Sequence, residues 1–107
     1  MRYLLLICVD PEMLPPEEPG DIDAWLDNVG SARVIGNQLS DSDTAKTVRV
    51  RRRERLVTDG PYAETKEIVA GFDVVDCDSL EQALEIAAAH PVATFGAVEV
   101  RAFYSGD

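Results

Sequence analysis

The stretch that decides the fold reads LVTDGPYAETKE over residues 56–67, and its character changes in the middle. Its first three residues are apolar or β-branched, which is typical of a strand. Gly60 frees φ and Pro61 fixes it, so the Asp-Gly-Pro sequence predicts a specified turn and not a flexible linker. A rigid polar turn at the end of a strand is either a functional site or a plain solvated connection.

Apolar runs on both sides of this stretch predict the remaining strands. The run from residue 2 to residue 9 is continuous and indicates a central strand that is covered on both faces. Residues 52–54 separate two short runs and predict a hairpin, although they lack the usual Asp-Gly type of turn. Strands are predicted over residues 2–9, 32–39, 46–51, 55–58, 68–77 and 95–103.

Two segments show helical periodicity. Residues 21–29 place four apolar side chains on one helical face, with Asp21 as the cap and Gly30 after the end. Trp25 belongs to this face, and packing is the role we expect for it in preference to ligand stacking. Residues 79–90 form the clearest helix, since Ser79 begins a capping box and a proline ends it.

The resulting order is β-α-β-β-β-α-β, which predicts an α+β fold with a ferredoxin-like protomer. Such a protomer has one antiparallel sheet with two helices on one face. The strands read as apolar on both sides, so the second sheet face would expose apolar side chains in a monomer. Pairing of two such faces buries them, and we therefore expect a homodimer.

Length and charge restrict the class of protein. A chain of 107 residues predicts a single domain over residues 1–107. The net charge of −10 argues against binding to nucleic acid or to an anionic membrane surface. Cys8 and Cys77 lie in apolar runs and are interpreted as reduced, buried thiols. No signal peptide or membrane span is recognised, so a cytoplasmic location is expected.

The nine residues DGPYAETKE at positions 59–67 resemble the signature of the DGPF family, the YCII-related small proteins of bacteria. The similarity extends to MRYLLLI at residues 1–7, TVRVR at 47–51, Gly-Phe at 71–72 and VEVR at 98–101. The resemblance implies a ferredoxin-like protomer that dimerises into an α+β barrel. It leaves the biochemical role largely unassigned, and a link to an alternative sigma factor is implied by the resemblance alone.

His90 is the only histidine and lies just before Pro91. We expect the helix dipole to raise its pKa, and the ring is either a cap or a catalytic group. In relatives with proposed catalysis the candidates are a histidine on the first helix and an aspartate before the proline. The first helix here has no histidine, so that pair is not transferred. Asp59 with His90 is the substitute catalytic pair that we predict.

The turn itself supplies the predicted ligand-binding residues, which share its polar or constrained character: Gly60, Pro61, Tyr62, Glu64 and Lys66. One histidine and two widely spaced cysteines predict no metal site. No nucleotide-binding or cofactor-binding motif is present, so no cofactor is expected.

Three further features have open interpretations. The proline-rich loop over residues 10–20 is either a lid or an extended connection. Arg49, Arg51, Arg53 and Arg55 fall on one face if the strand continues, and they either bind an anionic partner or form surface ion pairs. Asp73 interrupts an apolar strand, and its carboxylate either faces solvent or enters a pocket.

Three functional hypotheses remain. The first is a pocket at the turn that binds a small molecule, with lyase-like or hydrolase-like acid–base chemistry by Asp59 and His90. The second is a non-catalytic regulatory module that meets a partner protein. The third is a dimeric scaffold in which the turn serves only the fold. Whether the protein is an enzyme, and which ligand it takes, is left open by the sequence.

Overall fold

The computed structural model of the chain describes residues 1–18, 20–62 and 66–106 and has an α+β architecture. Short 3-10 helices follow the first helix, precede the third strand and precede the last strand. The strands and helices are β1 (Arg2–Val9), α1 (Ile22–Val29), β2 (Arg33–Gln38), β3 (Lys46–Arg51), β4 (Glu54–Asp59), β5 (Ile68–Asp76), α2 (Leu80–Ala88) and β6 (Ala97–Ala102).

Four of the strands form one antiparallel sheet in the order β2-β5-β1-β6. This order and the two helices agree with the predicted ferredoxin-like protomer. Both helices lie on one sheet face, where Ala83 and Ala87 of α2 and Trp25 of α1 pack against β1 and β5. Leu5 and Val75 are fully buried there, because they point from the two central strands into this layer.

The helices begin and end where their sequences indicate. The Asp21 carboxylate accepts hydrogen bonds from two backbone N–H groups of the first turn of α1, and Gly30 ends that helix with φ at +56°. The Ser79 hydroxyl accepts from the Gln82 N–H, and the Gln82 side chain accepts in return from the Asp78 N–H. These bonds satisfy N–H groups that a helix otherwise leaves without partners.

Trp25 is a core residue, as predicted. Its indole N–H donates to the Ile86 carbonyl over 2.9 Å, which joins α1 to α2. Only 3% of the residue is exposed. A buried indole needs such an acceptor, so the bond fixes the position of the ring relative to the second helix.

Strands β3 and β4 form a separate two-stranded hairpin. Its turn is formed by Arg52 and Arg53, which both have positive φ, at +51° and +67°. Two positive φ values are what a tight hairpin turn requires, although Asn-Gly is its usual sequence. The chain reverses here, so Arg55 pairs with Val50 and shares its face, whereas Arg49 pairs with Leu56. The strand does not continue through Arg53, so the condition for one arginine face is not met and the four arginines do not share a face.

The face of the main sheet opposite the helices is apolar, and we call it the open face. Its members follow from the register of the strands, because residues that pair across strands point to the same face. Val74 pairs with both Leu4 and Ile35, and Phe72 pairs with Leu6. Ile35 is 58% exposed. Because α1 and α2 both pack on the other side, the open face carries no helix within residues 1–18, 20–62 and 66–106.

None of the helices in the described part of the chain combines the length and the apolar character needed to cross a membrane.

Candidate functional site

A buried ion pair joins the two strands at one side of the main sheet. The Asp73 carboxylate on β5 accepts from Nε of Arg33 on β2 over 2.7 Å. The Asp73 side chain is 8% exposed and the Arg33 side chain is 30% exposed. A buried carboxylate is stable only when a partner compensates its lost hydration, and Arg33 is that partner.

Gly36 makes room for this pair. In the sheet it lies directly opposite Asp73, after an irregularity in the β2 ladder between Arg33 and Ile35. A Cβ atom at position 36 would lie 2.0 Å from Oδ1 of Asp73 and 2.6 Å from Nη2 of Arg33. The absence of a side chain at Gly36 is therefore a condition for the observed geometry of the ion pair.

A cavity of about 400 Å³ opens above the ion pair, and we call it the ion-pair cavity. It lies between α1, the β2–β5 side of the sheet and the segment after α2. Most of its walls are apolar, and the polar residues of its lining are Arg33, Asn37, Gln38, Asp73 and His90. The walls include Ile7, Val9, Ile22, Trp25, Leu26, Phe72, His90, Pro91 and Val92.

His90 lines the same cavity and is 5% exposed. Its Nδ1 accepts a hydrogen bond from the Val92 N–H over 3.0 Å, so the neutral ring carries its proton on Nε2. The imidazole and the Trp25 indole meet edge to face, with their centroids 4.6 Å apart. No acceptor for Nε2–H is found among the described residues, which leaves this group free to donate to a ligand.

The pKa of His90 lies below its ordinary value of 6.5 because burial disfavours the charged ring. The negative charge of Asp73 opposes this effect but does not reverse it. The expectation of a raised pKa is therefore wrong. Helix α2 ends at Ala88, and His90 caps the next 3-10 helix, which begins at Pro91, so the ring lies outside the last turn where the dipole acts.

Asp59, the predicted partner of His90, lies at the end of β4. Its carboxylate accepts from the ammonium group of Lys46, which is its cross-strand partner, and its side chain is 83% exposed. It does not belong to the walls of the ion-pair cavity. One protomer therefore does not bring Asp59 and His90 together in this cavity, and their catalytic pairing stays a prediction.

The predicted ligand-binding residues lie around the base of the hairpin. The Gly60 carbonyl accepts from the Thr47 hydroxyl, and the Gly60 N–H donates to the Ala45 carbonyl. Tyr62 is exposed, with the guanidinium of Arg49 lying 5.3 Å from its ring centroid. The turn therefore joins the two strands of the hairpin at their open end.

Two other ligand-binding predictions concern the acidic and basic residues after the turn. Lys66 is exposed, and its ammonium lies 3.6 Å from a carboxylate oxygen of Asp10. Glu64 lies outside the described residues. A second cavity of about 540 Å³, the turn cavity, is lined by Pro61 and Tyr62 together with Leu39 and Val69.

The loop over residues 10–20 approaches the His90 region from the other side. Glu18 and Gly20 line a third cavity of about 300 Å³, to which Trp25 and His90 also contribute. The end of this loop is therefore next to the indole–imidazole contact. Its role as a lid stays a prediction.

Two functional residues were not identified from the sequence. The sequence marks Asp73 as an interruption of an apolar strand, but it places Arg33 and Gly36 only within the strand predicted over residues 32–39. A charged residue inside each of two apolar strands was the available signal. This signal does not identify the pair, because local periodicity does not predict the strand register that brings residues 33 and 73 together.

Metal-binding and thiol chemistry have little basis in the described residues. No group of three or more His, Cys, Asp or Glu side chains that could hold a metal ion is found in residues 1–18, 20–62 and 66–106. The pKa of the Cys8 thiol is raised by burial and by the charges of Glu99 and Glu67. A protonated thiol is a poor nucleophile.

Comparison with known proteins identifies a family and a relative. The model of a family described as the YCII-related domain matches residues 1–105. An uncharacterized protein of Rhizobium meliloti (strain 1021) is 46% identical over 50 residues. That alignment covers 47% of this chain and 40% of the relative, so the matched part is less than half of either protein.

Replacement of Gly36 by alanine is expected to separate Arg33 from Asp73. The added Cβ occupies the position of the carboxylate oxygen, so a buried charge loses its partner. We expect the free energy of unfolding to fall by about 2 kcal/mol, measured by urea denaturation.

The matched control is the same substitution in an Asp73→Ala background, where the clashing carboxylate is absent. There the cost of Gly36→Ala should be much smaller, and the difference is the coupling energy of a double-mutant cycle. Equal costs in both backgrounds would contradict the role assigned to Gly36.

Protonation of His90 is expected to lower stability in acid. Between the native pKa and pH 6.5 the unfolded chain binds the proton more readily than the native ring. The neutral His90 ring therefore makes its full contribution to the free energy of unfolding above pH 6.5, and this contribution is lost as the pH falls through the native pKa. Since an imidazolium quenches indole emission, Trp25 fluorescence should report the titration, with a midpoint below pH 6.5.

His90→Asn is the control for this titration. The asparagine side-chain oxygen can accept from the Val92 N–H, as Asx turns do, but it does not titrate in this range. The fluorescence transition should disappear in the variant. If the transition persists unchanged, another group is responsible and the assignment to His90 is wrong.

Proposed function

The chain belongs to the YCII-related domain family, and we propose that it binds a small, mainly apolar molecule in the ion-pair cavity. The buried Arg33–Asp73 pair at the base of that cavity carries the proposal. Replacing such a pair by packed apolar residues is often neutral or stabilising, so its presence is poorly explained by stability alone. Mainly apolar walls with a few converging polar groups are typical of small-molecule sites.

The size of the cavity supports this proposal. Its volume of about 400 Å³ lies within the range of roughly 300–1,000 Å³ that ligand pockets show. Trp25, Ile22 and Leu26 supply apolar surface, whereas Arg33 and His90 supply hydrogen-bond donors. Apolar surface in one part of the cavity and hydrogen-bond donors in another would orient a ligand that has one polar end.

Binding fits the state of His90 better than base catalysis does. A general base needs a free lone pair, but Nδ1 of His90 accepts from the Val92 N–H and Nε2 carries the proton. Turning Nε2 into an acceptor would require loss of the Val92 hydrogen bond. We therefore propose that His90 acts as a donor to the ligand, and that acid–base chemistry is the less favoured alternative.

Fluorescence of Trp25 offers a direct binding assay, because Trp25 is the only tryptophan and lines the cavity. We expect members of a diverse library of small organic compounds to change its emission and to saturate. Val9→Phe, which narrows the ion-pair cavity, should weaken the binding of those compounds by about tenfold or more.

Val69→Phe is the matched control, since Val69 lines the turn cavity and not the ion-pair cavity. It should leave binding unchanged. The reverse result, in which only Val69→Phe weakens binding, would move the ligand to the turn that the sequence singled out. Absence of saturable binding across the library would contradict a small-molecule function.

A second copy of the chain is the partner that we propose for the open face. Its apolar residues would be removed from water by an isologous contact, in which the same patch is used on both subunits. Strand β6 borders this face and carries opposite charges, Glu99 and Arg101, two residues apart. A two-fold axis beside β6 can set Arg101 of each copy against Glu99 of the other.

Leu6→Arg is expected to prevent this dimer, because Leu6 is central in the open face and a guanidinium there cannot be desolvated without a partner. Sedimentation velocity should show a dimer for the native sequence and a monomer for the variant. Leu14→Arg adds the same charge at a loop residue that is 87% exposed, and it should remain dimeric. A native chain that sediments as a monomer at micromolar concentration would contradict the proposal.

A further inference from the structure

We infer that the ligand of the ion-pair cavity carries a carboxylate group, bound by the terminal nitrogens of Arg33 and by Nε2–H of His90. This inference rests on the proposed function, because it specifies the chemical class of the molecule that the same cavity takes.

The hydrogen-bonding capacity of Arg33 is largely unused. A guanidinium has five N–H donors, and only Nε–H of Arg33 is engaged, by Oδ1 of Asp73. The terminal nitrogens meet no acceptor within residues 1–18, 20–62 and 66–106. The remaining four donors are therefore available to a ligand.

The orientation of the pair places the arginine toward the cavity. Asp73 is the more deeply buried partner, with 8% of its side chain exposed against 30% for Arg33. The absence of a side chain at Gly36 lets Nη2 of Arg33 lie close to the β2 backbone, since a Cβ there would lie only 2.6 Å from that nitrogen. Arg33 and Gly36 both line the ion-pair cavity, so the more exposed partner of the pair is the one that a ligand can contact.

A carboxylate matches this arrangement in shape. Its two oxygens fit the planar fork of a guanidinium and accept two parallel hydrogen bonds. The Nε2–H of His90, which lines the same cavity, can donate a third bond to one of those oxygens. Asp73 offers an example within the chain, because it is a carboxylate that the same guanidinium already binds.

Charge argues for a monoanion and against a phosphate dianion. Arg33 is the only cationic side chain among the cavity walls in the described part of the chain, so one negative charge on a ligand has one cation to contact. The ring of His90 is neutral above its lowered pKa. With a net charge of −10 on the whole chain, a second negative charge in the cavity would add repulsion without a further cation to compensate it.

The rest of the ligand should be apolar. Beyond the polar groups, the walls include aliphatic and aromatic side chains such as Ile22, Trp25 and Leu26. Contact with these walls favours an aliphatic or aromatic body over a sugar or a nucleotide. The class is therefore a small monocarboxylic acid with a compact apolar body.

Matched pairs of acids and primary amides test the inference without altering the protein. We would titrate phenylacetate against phenylacetamide and 4-methylpentanoate against 4-methylpentanamide at pH 7.5, following Trp25 fluorescence and backbone amide shifts. Each pair has nearly the same shape and differs in charge. We expect the acid to bind at least about tenfold more tightly than its amide, as a charge-assisted bidentate contact requires.

Variants then assign the preference to Arg33. The double variant Arg33→Gln, Asp73→Asn replaces the ion pair by a neutral pair of similar shape, so no buried charge is left without a partner. We expect it to lose the preference for the acid. This double variant leaves the net charge unchanged. Arg55→Gln removes an arginine from the exposed hairpin and should keep the preference, which shows that the effect is specific to Arg33.

The outcomes separate the two proposals. Equal or tighter binding of the amides would overturn the carboxylate inference and leave the small-molecule function intact. Retention of the acid preference in the double variant would also overturn it, because Arg33 would then not be the recognising group. A third outcome is that neither acids nor amides bind, whereas the diverse library yields ligands whose binding is weakened by Val9→Phe. The inference that the ligand is a carboxylic acid would then be wrong, and the proposed binding function of the cavity would stand.

Discussion

The ion pair between Arg33 and Asp73 is the constraint on which one side of the molecule depends. Placing a carboxylate in the middle of β5 removes it from water, and this is stable only with a cation in contact. That requirement fixes how β2 lies against β5. It also explains the irregular register after Arg33 and the glycine at position 36, which alone leaves space for the two charged groups.

The same constraint determines the chemistry of the neighbouring histidine. Burial lowers the pKa of His90 and the charge of Asp73 raises it. Burial is the larger effect, so the net shift favours the neutral ring. The bond from the Val92 N–H then selects the tautomer. Together these contacts make His90 a hydrogen-bond donor in the cavity that Arg33 also lines, which suits the proposed recognition of a ligand better than proton transfer.

Local sequence rules predicted most of the fold because its elements depend on neighbouring residues. The caps at Asp21 and Ser79 and the order of the strands were readable from residue type and spacing. The site depends instead on residues 33 and 73, which are 40 positions apart and meet only through sheet register. The pKa of His90 was mispredicted for a related reason, since burial by Trp25 and the sheet exceeds any local dipole effect.

The turn at Asp59–Gly60–Pro61 has a different task from the ion pair, and its contacts show which one. Lys46 binds Asp59, the Thr47 hydroxyl binds the Gly60 carbonyl, and the Gly60 N–H extends the ladder to Ala45. All of these contacts hold β3 to β4 where the hairpin leaves the main sheet. The hairpin does not form the walls of the ion-pair cavity, so its fixed position has no direct effect on that site. The most recognisable turn of the sequence therefore stabilises the hairpin, whereas the proposed ligand site is formed by residues that no local motif marks.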